Sequence, residues 1–125
     1  MKALRGLTSN KEFSNVFNHG GSVADRLLVV YSLPNGKPYT RFGLSVGKKV
    51  GKAVTRNRFK RILREICRSN LPIIKEGYDC VIIARPRILG ENYRNIEKSF
   101  IKVAGKARLL GRELNTGEKT NCKNN

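Results

Sequence analysis

Acid is the scarce commodity in this chain: nine Asp and Glu stand against 26 Lys and Arg in 125 residues, for a formal net charge of +17 and a pI near 10.5. The acids fall at 12, 25, 65, 76, 79, 91, 97, 113 and 118 and do not cluster. A nuclease working through metal ions needs gathered carboxylates, and a metal-free one needs a paired acid and base. Neither pattern is present. Glu76 and Asp79, the closest pair outside a helical pattern, flank a turn. There is a single histidine, His19, at the end of the first predicted helix, where a cation suits the helix dipole. No Ser/His/Asp set can be assembled around it. The three cysteines, Cys67, Cys80 and Cys122, are odd in number and lack CxxC spacing, which argues against a disulfide framework and a zinc ribbon and fits a reducing cytosol. Long apolar runs are also missing. The longest, "LLVVY" at 27–31, is far too short to span a bilayer, and Lys2 and Arg5 precede no signal-peptide core. A soluble, unprocessed, cytoplasmic protein with no membrane contact is expected.

What the chain does have is positive charge well beyond the needs of solubility, so a polyanionic partner is the default expectation. Its length and its 39% hydrophobic content suit one domain with one modest core, placed at 1–114, followed by a disordered polar tail at 115–125. Ser9 and Glu12 have capping-box spacing ahead of Phe13, Val16 and Phe17, which predicts a helix from about Asn10 to Asn18, stopped by Gly20 as a left-handed C-cap. "RLLVVYSL" (26–33) and "TRFGLSV" (40–46), joined by the turn residues "PNGKP", read as a β-hairpin. "GSVAD" (21–25) and "DCVIIAR" (79–85) are further strand candidates. Tyr93, Ile96, Phe100, Val103, Ala107 and Leu110 predict a last helix from about Asn92 to Glu113.

The stretch "GKAVTRNRFKRILREICR" (51–68) is the informative one. Phe59, Ile62, Leu63, Ile66 and Cys67 form a single apolar helical stripe. Lys60, Arg64 and Arg68 follow one another at i+4 steps on another face, with Asn57 and Arg61 beside them. A charge run is usually just a solvated face, but here several local rules are broken together. Arg56 and Arg58 sit at the wrong end of the helix dipole, at roughly 0.3–1 kcal/mol each. The pairs Lys60/Arg64 and Arg64/Arg68 repel by about 0.2–0.5 kcal/mol each, and Glu65 is the sole local compensation. Arginine predominates, as suits bidentate phosphate contacts, and jointly broken rules tend to mark function.

Upstream, "SVGKKVGK" places Lys48, Lys49 and Lys52 on a glycine-punctuated loop leading into the helix. A nucleotide P-loop is excluded: Gly47 and Gly51 enclose three residues rather than four, and Ala53 stands where Ser or Thr would hold Mg²⁺. A phosphodiester backbone is the better ligand. Phe13, Phe17 and Tyr31 suit either core packing or the stacking of unpaired bases; the residues alone leave both open.

"SNKEFSNVFNHGGSVADRLLVVY", "RFGLSVGKKVGKAV" and above all "RNRFKRILRE" resemble the protein subunit of bacterial ribonuclease P, over roughly residues 5–110. The resemblance implies an α+β, two-layer α/β sandwich: a four-stranded, mostly antiparallel sheet, about three helices, and a left-handed β-α-β crossover. It implies a protein that binds the catalytic RNA of ribonuclease P and the 5′ leader of precursor tRNA. The RNA, with Mg²⁺ that it mainly holds itself, carries the hydrolysis; no organic cofactor and no obligate protein partner are implied, and no residue of the chain is catalytic. Arg56, Asn57, Arg58, Lys60, Arg61 and Arg64 match the signature helix facing the RNA subunit, and Lys48, Lys49 and Lys52 match the adjacent basic loop. Phe13, Phe17 and Tyr31 match the leader-binding cleft, with Ser45 on its wall. Gly47 replaces a common Ser, and Lys52 a common Asn. Two alternatives stand beside this: a ribosomal or general RNA-binding protein, which needs no leader cleft, and a protein-only nuclease.

Overall fold

The computed structural model describes residues 4–7 and 9–111. In chain order these form β1 (Arg5–Gly6), α1 (Asn10–His19), β2 (Gly21–Ala24), β3 (Leu28–Pro34), β4 (Arg41–Val46), α2 (Ala53–Ser69), β5 (Tyr78–Ala84) and α3 (Tyr93–Lys106), with short 3-10 turns at Leu71–Ile73 and Pro86–Ile88. The strands make one sheet in the order β1-β4-β5-β3-β2.

The expected sheet needs two corrections. It has five strands rather than four, because the two-residue β1 adds an edge that no alternating pattern announces. It is mixed rather than mostly antiparallel: β1 with β4 and β4 with β5 are parallel, whereas β3 with β5 and β2 with β3 are antiparallel. The expected hairpin of β3 and β4 does not form, since β5 lies between them. The reason is burial on both faces of β5. Cys80, Ile82 and Ala84 enter one cluster and Val81 enters the other, with Ile83 packed against it, so β5 takes the central position and pairs along both edges. The turn after β3 instead carries the chain past the start of β5, where the Asn35 N–H donates to the Gly77 carbonyl at 2.8 Å.

The capping box of α1 is present as expected: the Glu12 N–H donates to Ser9 Oγ at 3.1 Å and the Ser9 N–H to Glu12 Oε1 at 3.2 Å. Gly20, however, is extended, at φ −92° and ψ 165°, rather than left-handed. Its bare Cα is required for proximity, since a Cβ would stand 2.6 Å from the Ser32 carbonyl oxygen and 2.7 Å from that of Val16. The last helix also ends early, at Lys106 rather than about Glu113. Arg108, at φ 60°, is the left-handed residue; its N–H donates to the Gly105 carbonyl at 3.1 Å and the Leu109 N–H to that of Ala104 at 2.9 Å, a Schellman motif with arginine where glycine is usual. The chain then turns back, and Leu110 bridges to Ile74. The tail expected from residue 115 lies outside the described residues.

The helices α2 and α3 cover one face of the sheet. Phe59, Leu63 and Ile66 of α2 join Phe100 and Val103 of α3 over Val30, Phe42 and Ile82. The α1 helix lies on the other face, where Val16 meets Leu7 and Val81. Asn70 ends α2 by donating to the Ile66 carbonyl at 2.8 Å and to Glu97 of α3 at 2.9 Å. Asp25 ties the β2–β3 turn to α3, accepting from the Leu27 and Leu28 N–H groups and from Ser99 Oγ at 2.7 Å. Burial pushes its carboxyl up, but those bonds and nearby Lys102 hold it below the usual range.

Candidate nucleic-acid interface

The apolar stripe of α2 is as its sequence demands: Phe59, Leu63, Ile66 and Cys67 are buried and Ile62 is half-buried at their edge. Seating that stripe on the sheet leaves Asn57, Arg58, Arg61, Arg64 and Arg68 exposed and Lys60 half-buried at the border. Of these cations only Arg68 takes a carboxylate partner among the described residues, Glu65 one turn earlier. Arg56 departs from the row. Its Nε donates to the Gly51 carbonyl at 3.1 Å, so its guanidinium braces the loop into the helix. That loop is anchored by Val50, which is buried, while Lys48 and Lys49 stand exposed on its turn. Lys52 is the N-cap of α2 and makes no side-chain cap bond, and the first turn carries no acid. The entrance to α2 therefore has free backbone donors, a positive dipole end and three lysines, all suited to anions.

Across the sheet the aromatic residues come together. The Phe17 and Tyr31 rings meet edge to face with centroids 5.0 Å apart, and Phe13 lies 6.5 Å from Phe17. Phe17 leaves 39% of its surface exposed, a large fraction for a phenylalanine with two ring neighbours. The ring of Phe13 rests on Gly43, where any Cβ would come within 2.6 Å of it. Ser45 pairs with Ile83, and Gly43 with Val81, so Ser45 lies on this same face by strand alternation. Phe13, Phe17, Tyr31 and Ser45 thus share one surface that the ten residues of α1 cover only in part.

Three sets of residues escaped sequence reasoning. Arg41 holds Asp79 with two hydrogen bonds, 2.9 Å from Nε and 2.7 Å from Nη2, and reaches Glu12 of α1 at 2.9 Å through Nη1. It couples the capping box of α1 to the central strand. Burial would push the Asp79 carboxyl up, but the Arg41 and Asn35 hydrogen bonds and the Arg41 charge hold it below the usual carboxylate range. The signal for this lay in the register, Arg41 opposite Asp79, which needs the sheet order first. Arg5 stacks its guanidinium 4.2 Å from the centroid of Tyr39. On the exposed face of α3, Arg94, Lys98, Lys102 and Lys106 repeat at i+4, a pattern as visible in sequence as that of α2.

The thiols of Cys67 and Cys80 are free and buried, and burial raises both, Cys80 to about 12. They are packing groups, inert as nucleophiles. Among the described residues no three His, Cys, Asp or Glu side chains gather to hold a metal ion, and no helix is long and apolar enough to cross a membrane.

The family model of ribonuclease P matches residues 1–108. The chain belongs to the ribonuclease P protein family. The ribonuclease P protein component of Natranaerobius thermophilus is 40% identical over 114 residues, covering 91% of this chain and 99% of the relative. That of Clostridioides difficile is 46% identical over 97 residues, 77% of this chain and 85% of the relative. The Staphylococcus aureus RNase P protein structure superposes with a TM-score of 0.79 at 34% identity, covering 88% of this chain and 100% of that one. A further structure, of a mutant of the S. aureus protein described as defective in mRNA degradation, gives 0.77 at 34% identity over 82% of this chain and 87% of that one. The chain is thus the protein component of a ribonucleoprotein enzyme that cleaves the 5′ leaders of tRNA.

Proposed function

We propose that the chain holds the catalytic RNA of ribonuclease P on the exposed row of α2, and the 5′ leader of precursor tRNA on the aromatic face of the sheet. The row supplies Asn57, Arg58, Lys60, Arg61, Arg64 and Arg68, with Lys48, Lys49 and Lys52 at its head. Arg56 acts mainly by fixing the loop. Phe13, Phe17 and Tyr31 offer edges and faces on which unpaired bases stack, and Ser45 a hydroxyl beside them. The observation that carries this reading is the separation of two chemistries on opposite sides of one sheet. Cations that, Arg68 apart, have no carboxylate partner among the described residues meet phosphates on one side, and open aromatics meet single-stranded bases on the other.

Mg²⁺ belongs to the RNA in this reading. The buried Asp79 is engaged with Arg41 and the half-buried Asp25 with Ser99, so the donor set of the described residues does not fit a metal site. The protein positions RNA and neutralises its charge, working in the cytoplasm without an obligate protein partner.

Cleavage of precursor tRNA by the cognate RNA at near-physiological Mg²⁺, with and without this protein, tests the assignment. Marked stimulation is expected, and no change overturns it. If the patch contacts about six phosphates, log K for the RNA subunit against log[salt] should slope near −4 to −5. A second reading, RNA degradation by the protein alone, is favoured only by the description of the S. aureus mutant. Cutting of RNA by the purified, RNA-free chain would support it.

A further inference from the structure

A groove of about 320 Å³ opens between β1, β4 and α2. Its floor is apolar: Leu7 and Phe42 are buried there, and Leu44 is half-buried in its wall. Its rim is cationic, formed by Arg5, Lys60 and Arg64, and none of the described residues lining it is acidic. Lys60 and Arg64 stand one helical turn apart on α2, while Arg5 approaches from β1, its guanidinium pre-set by Tyr39. An apolar slot under three positive charges is complementary to a ligand with a flat hydrophobic body and an anionic handle. The volume lies at the small end of ligand pockets, and an unpaired nucleotide has that shape and polarity.

We propose that this groove takes one unpaired nucleotide of the catalytic RNA, with its base against Leu7, Phe42 and Leu44 and its phosphate on Arg5, Lys60 and Arg64. The inference rests on the reading that α2 faces that RNA. The rim explains the choice of source: Lys60 and Arg64 belong to the α2 row, so a strand held by the row passes directly over the opening. Arg5 then becomes an RNA contact contributed by the edge strand. The base is held by apolar contact and not by a hydrogen-bond code, so the pocket selects for an unstacked base more than for its identity.

Equilibrium binding of the cognate catalytic RNA across a salt series, by the full chain and two variants, tests this. Leu44→Phe fills the slot and leaves the charges in place; its affinity should drop about 5- to 150-fold, the worth of one stacked base, with the salt slope unchanged. Arg5→Ala, at an exposed position of the edge strand, should lower affinity and flatten the slope by about one. Steep salt dependence in the unaltered chain together with unaltered binding by both variants overturns the groove proposal and leaves the wider reading intact. Weak salt dependence in the unaltered chain overturns the wider reading itself. If the losses appear only for leader-bearing precursor tRNA and not for the catalytic RNA, the nucleotide comes from the leader and the proposed source is wrong.

Discussion

On the face under α2 and α3, Phe59, Leu63, Ile66, Ile96 and Phe100 are all almost completely buried, whereas under α1, among the described apolar residues, only Leu7, Val16 and Val81 are, and Phe13, Tyr31, Leu33 and Ile83 remain partly open. The larger cluster makes a rigid platform whose outer surface can carry dense positive charge, because the burial beneath α2 offsets the repulsion above it. The smaller cluster leaves a surface that still has apolar area to give to a ligand. Most of the molecule's cohesion therefore lies on one side and its open aromatic surface on the other. The sharpest way to break the contrast is Phe59→Ala, which empties the platform under the charged row. A loss of about 3–5 kcal/mol is expected, read by urea denaturation, with catalytic-RNA binding failing along with folding.

The α1 side is held differently, by ions. Arg41 joins Glu12 to Asp79, whose side chain is only 7% exposed. Arg41→Ala would leave that carboxylate buried without its cation, at about 3 kcal/mol or more near neutral pH. The pH dependence gives the sign. In the native chain the Asp79 carboxyl lies below its unfolded value, so its contribution is complete above the unfolded pKa near 4 and is lost as pH falls through the lower folded value. Without Arg41, its hydrogen bonds and its charge no longer lower the carboxyl while burial still raises it, so the folded value rises from where the native chain holds it. The difference in stability between the two proteins should then shrink steadily as pH is lowered below about 4. A difference constant from pH 3 to 7 would refute the ion-held description of this side. Removing an open aromatic should instead cost less stability, on the order of 1 kcal/mol for its ring contacts. Phe17→Ala is expected to weaken leader-bearing precursor by about 1–3 kcal/mol relative to mature tRNA; equal losses for both would favour a general RNA-binding protein.

Short-range features were legible in the sequence and long-range ones were not. The Ser9–Glu12 box and the α2 stripe are defined within a turn or two of helix, where spacing dictates geometry. The charged row followed directly, because a buried stripe fixes what the opposite face must be. The hairpin expectation failed for the complementary reason. PNGKP is as good a reversal signal as could be written, yet β5, far along the chain, displaced β4 from β3 by having apolar residues for both faces. Arg41 and Arg5 were missed because each acts across strands: Arg41 and Asp79 are 38 positions apart and meet only once β4 and β5 are in register. The aromatic residues do meet as a group in the fold, but core packing and open stacking differ by exposure, which spacing along the chain does not encode.

The end of α3 offers the mildest perturbation of the platform. Arg108 takes a left-handed conformation that costs a residue with a Cβ roughly 1–2 kcal/mol, and it does so to close a Schellman motif that a glycine would close freely. Part of that gain is returned through the greater freedom of glycine in the unfolded chain. Arg108→Gly should therefore raise stability by about 0.5–1 kcal/mol, a few degrees in Tm. The site is remote from the groove and from Phe17, so leader discrimination and the salt slope for catalytic RNA should both stay as they are. A gain in stability that also altered leader discrimination would show that the platform and the open face are mechanically coupled; unchanged discrimination would show that they are separable, as their separate cores indicate.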